Sequence, residues 1–139
     1  MAKKKRPVKR KSIPRPHASG TMTKAGKHGF IVGQLRKGHM RWKPKHDAIK
    51  LAFVKNGKNP ATGRDCKLHQ CSACNELFPM KDMRADHLRP VVNPHVGFVS
   101  WDQYIQRMFV EVDHYRAICV GCHKEKTAEE RALRKELVG

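Results

Sequence analysis

The sequence predicts a small α+β domain, and three observations carry that prediction. Two Cys-x-x-Cys pairs, Cys71/Cys74 and Cys119/Cys122, sit at the ends of short segments that read as strands. Helix signals flank these segments: Pro44 stands before one apolar run, and Ser100-Trp101-Asp102-Gln103 has the form of a capping box before another. The chain's 139 residues suffice for one modest domain with tails. With 39% hydrophobic residues and a mean hydropathy of −0.70, its core calls for an added staple.

The elements follow in order. Residues 1–29 are rich in Lys, Arg, Pro and Gly without a hydrophobic period, which predicts a disordered basic arm. Residues 30–65 read as a linker with one helix. Phe30-Ile31-Val32 suggests a short strand or a docking patch. The helix opens near Pro44, places Ala48, Ile49, Ala52 and Phe53 on one face, and stops at Asn56-Gly57. Asn59-Pro60 and Thr62-Gly63 mark a loop. Residues 66–139 form the expected folded domain. Lys67 to Cys71 is a strand, and Met83 to His87 a second one that continues through Leu88-Arg89-Pro90 to Val92. Asn93-Pro94 and Gly97 break the chain. Ser100 then caps a helix, Gln103 reaches back to it, and Tyr104, Ile105, Met108 and Phe109 share one side. Tyr115 to Val120 is a strand. The last helix runs from about Cys122 to Leu137, with Ala132, Leu133 and Leu137 as its buried stripe and Glu130 paired with Arg134.

Charge bounds the partner. The net charge is +18 and the pI about 10.2. Residues 1–50 hold 16 Lys or Arg against one acid, Asp47, whereas the remainder is nearly balanced. A cationic front of this kind predicts nucleic-acid contact through phosphate neutralisation. The blander roles for such a front are a localisation signal or a solubilising tail. No apolar run is long enough to span a bilayer, and the basic N-terminus lacks a signal-peptide core, so no membrane partner and a cytoplasmic location are expected.

In a reducing compartment the five cysteines read as metal ligands before disulfides. Each Cys-x-x-Cys pair grips one side of a tetrahedral ion, so Cys71, Cys74, Cys119 and Cys122 would close a structural zinc site with no open position. Cys66 stands outside the pairs and reads as an ordinary thiol.

Asp86, His87 and His123 carry the chemistry. Phosphodiester hydrolysis needs a base for water and a cation for the developing charge. Asp86 is a hard oxygen donor, His87 titrates near neutrality, and His123 follows a zinc knuckle at the head of a helix. If the Asp86 strand packs on that helix, Asp86 and His123 can share one ion.

Together, the first Cys-x-x-Cys, Ala85-Asp86-His87-Leu88, and Ala117-Ile118-Cys119-Val120-Gly121-Cys122-His123-Lys124-Glu125-Lys126-Thr127 resemble the HNH endonuclease family. The stretch from Gly97 to Asp102 is similar to small HNH proteins of tailed bacteriophages, which would put the protein in the host cell cytoplasm. The likeness spans roughly residues 71–137. It implies a ββα-metal, treble-clef-like fold pinned by zinc, with flanking helices and the disordered arm. It further implies His87 as general base, Asp86 and His123 as ligands of a catalytic divalent cation, and duplex DNA as substrate, nicked or cut through. Where the family places a loop-ordering Asn, this chain has His114, which takes that place in the catalytic set. The donor set suits Mg2+ or Mn2+.

Lys3, Lys4, Lys5, Arg6, Lys9, Arg10, Lys11, Arg89 and Lys124 are the expected DNA contacts. His28, His39, His46, His69 and His95 read as solvated or phosphate-contacting. Trp101 and the stripe beside it read as core. The rival is a non-catalytic zinc-ribbon nucleic-acid-binding protein. Neither sequence preference nor oligomeric state is legible.

Overall fold

The computed structural model describes residues 11–138, the last two by their backbone alone. It is a mixed α+β protein whose chain divides into two compact units, residues 1–38 and 39–139.

In the first unit, His17 pairs with Met22 around a turn in which Ala18, Ser19 and Gly20 all have positive φ. Helix α1 follows at Lys24–His39, running one residue into the second unit. Thr23 caps it, its hydroxyl accepting the Gly26 N–H at 3.0 Å. The arm expected over 1–29 is therefore helical from Lys24 on, and Phe30-Ile31-Val32 lies inside α1 instead of a strand. The cap and the helix's own hydrogen bonds outweigh composition here. No residue of α1 is buried. The predicted contacts Lys3, Lys4, Lys5, Arg6, Lys9 and Arg10 lie outside the described residues, and Lys11 is exposed.

The second unit holds α2 (Lys43–Leu51), β1 (Phe53–Lys58), β2 (Asp65–Gln70), β3 (Leu77–Pro79), β4 (Met83–His87), α3 (Trp101–Met108), β5 (Tyr115–Cys119) and α4 (Val120–Val138). Strands β1, β2 and β3 form one antiparallel sheet, and β4 and β5 a separate antiparallel pair. Pro44 sits in the first turn of α2 as expected. Asn56-Gly57 does not stop that helix but lies within β1, opposite Lys67 and Cys66. Gly57 suits that place because a Cβ would come within 2.5 Å of a terminal methyl of Leu68, which would have to shift. Because β1 pairs with β2, the boundary expected at residue 65 falls inside a sheet, and residues 39–65 are folded structure, not linker.

The core lies where α2 packs on the β4–β5 pair. Ala48 and Ile49 from the helix meet Met83, Ala85, Tyr115, Ala117 and Ile118, with Trp42, Phe78 and Val112 packed around them. Trp42 buries its ring and donates its indole N–H to the Val110 carbonyl at 2.7 Å. Strand β4 ends at His87, short of the expected Val92: the Leu88 N–H still bonds the His114 carbonyl at 3.0 Å, but Pro90 has no N–H with which to carry the pairing on. Ser100 caps α3 by accepting the Gln103 N–H at 3.2 Å. Of the stripe predicted on that helix, Tyr104 and Met108 are buried, whereas Ile105 is exposed.

Helix α4 starts two residues before the expected point, and of its predicted stripe Ala132 is exposed and Leu133 only partly covered, while the Leu137 side chain lies outside the described residues. Glu130 faces Lys126 at 3.7 Å, while Arg134 bonds the Glu130 carbonyl, not its carboxylate. Among the described residues no helix is long and apolar enough to cross a membrane.

Candidate functional site

Four sulfurs converge at one end of the β4–β5 pair. Cys71 follows β2, and Cys74 closes a turn in which Asn75 takes a left-handed φ of 62° and its N–H bonds the Cys71 carbonyl at 2.8 Å. Cys119 ends β5 opposite Met83, and Cys122 lies in the first turn of α4. The four Sγ atoms lie within 4.8 Å of one another, with Cys74 and Cys119 at 4.0 Å. A disulfide needs roughly 2 Å. A zinc–sulfur bond of about 2.3 Å in a tetrahedron sets sulfurs about 3.8 Å apart. The spacing fits a shared ion and excludes a bridge.

The chemistry of the donors agrees. Burial alone raises the Cys71 thiol, yet backbone N–H groups of Cys74, Cys119 and Ala73 outweigh it and bring it to about 6. Its neighbours crowd Cys122, where the Cys119 side chain is the largest cause of a rise to about 12. Four thiols this close cannot all ionise without a cation among them. Residues Cys71, Cys74, Cys119 and Cys122 could thus hold a metal such as zinc. Cys66 stays apart, lining a cavity of about 430 Å³ with Phe53, His69 and Met80.

The other end of the pair carries polar chemistry. Register sets His87 opposite Tyr115 and Asp86 opposite Arg116. Asp86 is buried, and its Oδ2 accepts from Arg116 Nε at 3.0 Å and from Lys126 Nζ at 2.6 Å. Lys126 Nζ also donates to the His87 carbonyl at 3.2 Å, so α4 closes over the end of β4. His123 stands one turn before Lys126 on the same face of α4.

His87 is held by its ring. Its Nε2 lies 2.8 Å from the Met108 carbonyl, which only accepts, so Nε2 carries the proton and Nδ1 keeps a lone pair. Tyr115 gives its single hydroxyl proton to the same carbonyl at 3.1 Å. His39 Nε2, 2.7 Å from that hydroxyl, must therefore be its donor. The His39 ring stacks on His87 with centroids 5.1 Å apart, and Tyr115 lies 4.8 Å from His87. Burial is the main cause holding His87 below its ordinary value, partly countered by the Met108 carbonyl and Asp86. His39 falls to about 4, first through burial and then through the charges of His87, Lys45 and His46. Both rings are neutral at pH 7.

Asp86 and His87 are thus neighbours at the end of β4, and α4 reaches them through Lys126, three residues beyond His123. The His114 ring is 62% exposed and 3.8 Å from Asp113, and its backbone carbonyl accepts the Leu88 N–H beside the site. Arg89 and Lys124 are exposed, as phosphate contacts require. His69 is buried and His39 is enclosed by rings, so neither is the solvated histidine that sequence suggests. Sequence reasoning also passed over Tyr115 and Arg116, and it read Lys126, which it set near the site, as a phosphate contact or a solvated charge and not as a partner of Asp86. Lys126 had a usable signal in its three-residue spacing from His123. His39 had none, because 48 residues separate it from His87.

No protein-family model, curated protein or solved structure matches the chain. Fold and site by themselves define a mixed α+β protein with a four-cysteine cluster that could hold zinc.

Proposed function

We propose that this protein is a metal-dependent HNH-type endonuclease that hydrolyses phosphodiester bonds of DNA. One observation carries the reading: a neutral histidine, His87, with Nε2 pinned and Nδ1 left as a base, adjoins a buried carboxylate at the margin of a cysteine-stapled hairpin. The order of β4, β5 and α4 around that hairpin supports a ββα-metal fold, and the resemblance noted in sequence runs through the same residues.

His87 Nδ1 takes the proton of the attacking water. Asp86 and His123 are the residues that would hold a Mg2+ or Mn2+ ion, which supplies stabilisation of the leaving oxygen's charge. They fit it in part. A carboxylate and an imidazole on adjoining elements suit a cation that keeps most of its waters, but Asp86 Oδ2 already bears two protein cations. Arg116 and Lys126 set positive charge beside the scissile phosphate, while Arg89, Lys124 and the cationic first fifty residues hold the backbone.

That same double cation on Asp86 favours a second reading, a zinc-stabilised DNA-binding module without catalysis. Plasmid relaxation separates the two. Zinc-loaded protein with Mg2+ or Mn2+ should convert supercoiled to open circular DNA, and His87→Ala should lower the rate about 10²–10⁴-fold. Equal survival of supercoiled DNA with both proteins would leave the binding module standing.

A further inference from the structure

Building on the assignment of His87 as base, we infer that His39 is a positioning residue, aligning the His87 ring through Tyr115 and through its own ring face.

The constraint comes from counting protons. The Met108 carbonyl accepts from both His87 Nε2 at 2.8 Å and the Tyr115 hydroxyl at 3.1 Å. That hydroxyl has one proton and is committed, so it takes the His39 Nε2 proton at 2.7 Å. Proton direction is thereby fixed from His39 through Tyr115 to Met108, and the carbonyl closes on His87. Reversing any member leaves two donors or two lone pairs facing each other.

Ring contacts add a second constraint. His39 lies nearly parallel to His87, at 25°, and meets Phe109 edge-on at 78°. With Tyr115 on the other contact of His87, the imidazole has little freedom about its χ2. A general base must present one nitrogen in one direction, and small misplacement is costly. Nothing in the fold requires a polar group at His39, since a Leu or Phe would cover Tyr115 and Phe109 as well. The groups facing His39 are His87 from β4, Tyr115 from β5, and Lys45 and His46 from α2, and the last two make no part of the hydrogen-bonded chain.

The test uses full-length, zinc-loaded protein with ¹⁵N-labelled histidine at pH 8. Ring ¹⁵N shifts report which nitrogen of His87 is protonated, and nicking assays report kcat and KM. The wild type should show one His87 form, protonated at Nε2. His39→Ala should free the His87 ring to turn away from the Met108 carbonyl, giving a mixture of both tautomers and a kcat about tenfold lower or worse, with KM within about twofold. His39→Gln restores a donor to Tyr115 and should recover the single tautomer and most of kcat. The inference is overturned if His39→Ala lowers the melting temperature alone, leaving the His87 ring shifts and kcat at wild-type values. It is equally overturned if His39→Gln behaves as His39→Ala. Should His39→Ala fail to fold, Tyr115→Phe, which removes the link, decides on the same shifts: a mixture supports the inference and an unchanged single form overturns it. A tautomer mixture in His39→Ala with no nicking by any variant supports the positioning role and instead removes the nuclease assignment.

Discussion

The β4–β5 pair has two unlike ends. Met83 pairs with Cys119 at one and His87 with Tyr115 at the other, roughly 13 Å away at about 3.3 Å per residue. The cysteine end is built from four sulfurs spaced so that they could share an ion, and from a few backbone N–H groups. The histidine end is built from directional hydrogen bonds and ring contacts drawn from α1, β4, β5 and the end of α3. The first end supplies stability without directionality. The second supplies directionality on a scaffold that the first keeps closed. Damage to each should therefore register in different measurements.

The largest effect is expected at the cysteine end. Structural zinc contributes on the order of 10 kcal/mol in small domains, comparable with the whole stability of a unit this size. Chelating the metal, or replacing Cys71 by Ser, should abolish the cooperative thermal transition of the second unit, followed by near-UV circular dichroism. Cys71 is fully buried and accepts the backbone N–H groups of Cys74 and Cys119 among others, so its replacement should cost more than that of exposed Cys74. Survival of a sharp transition in metal-free protein would show that the hydrophobic core alone suffices.

At the histidine end the next largest loss, on the proposed nuclease reading, is catalytic. His87→Ala is expected to keep its melting temperature within a few degrees, about 1 kcal/mol at this size, while relaxing plasmid about 10²–10⁴-fold more slowly. A variant that melts far below the wild type would make His87 a packing residue and blur the division between the two ends.

This division also explains what could be read from sequence. The Cys-x-x-Cys pairs were legible because ligand geometry is local: two residues three apart already define half a tetrahedron. Strands β2, β4 and β5 and the Ser100 cap were legible for the same reason, being set by neighbours within a few positions. His39 was not, since nothing near Gly38-His39-Met40 signals that its ring will meet one from β4. Gly57 misled outright: Asn-Gly reads as a stop, and only its approach to Leu68 across the sheet reveals a strand position. For His114, the contact visible in the fold comes from its backbone carbonyl, which any residue would supply and which side-chain identity therefore does not signal.

Between the two ends lies Asp86, whose carboxylate ties β4 to β5 and α4. Asp86→Asn keeps the shape and removes the charge that Arg116 and Lys126 share. Both partners retain access to water, their side chains being 39% and 24% exposed, so the loss should fall below that of a fully buried pair. A fall of about 1–3 kcal/mol in denaturant unfolding, with unchanged slope, is expected. No change would reduce the triad to a surface contact.

The smallest expected effect is the response to acid, and it can be assigned to one ring by difference. In the unfolded chain His39 takes up a proton near pH 6.5, whereas in the fold it resists until about pH 4. Between those values the unfolded state binds more protons, so stability falls as pH drops from about 7 to 4 and levels off below. His87, whose value is also lowered, adds in the same direction. The His39 shift corresponds to a ceiling of about 3 kcal/mol, and solvent screening at a half-buried ring reduces that to about 1–2 kcal/mol. Zinc release in acid acts on wild type and variant alike. The difference in unfolding free energy between wild type and His39→Gln, followed from pH 7.5 to 4.5, therefore isolates the ring. It should shift in favour of the variant as pH falls. A difference that stays flat across this range would mean that His39 is as open to protons as a surface histidine, and the hydrogen-bonded chain to Met108 would lose its anchor.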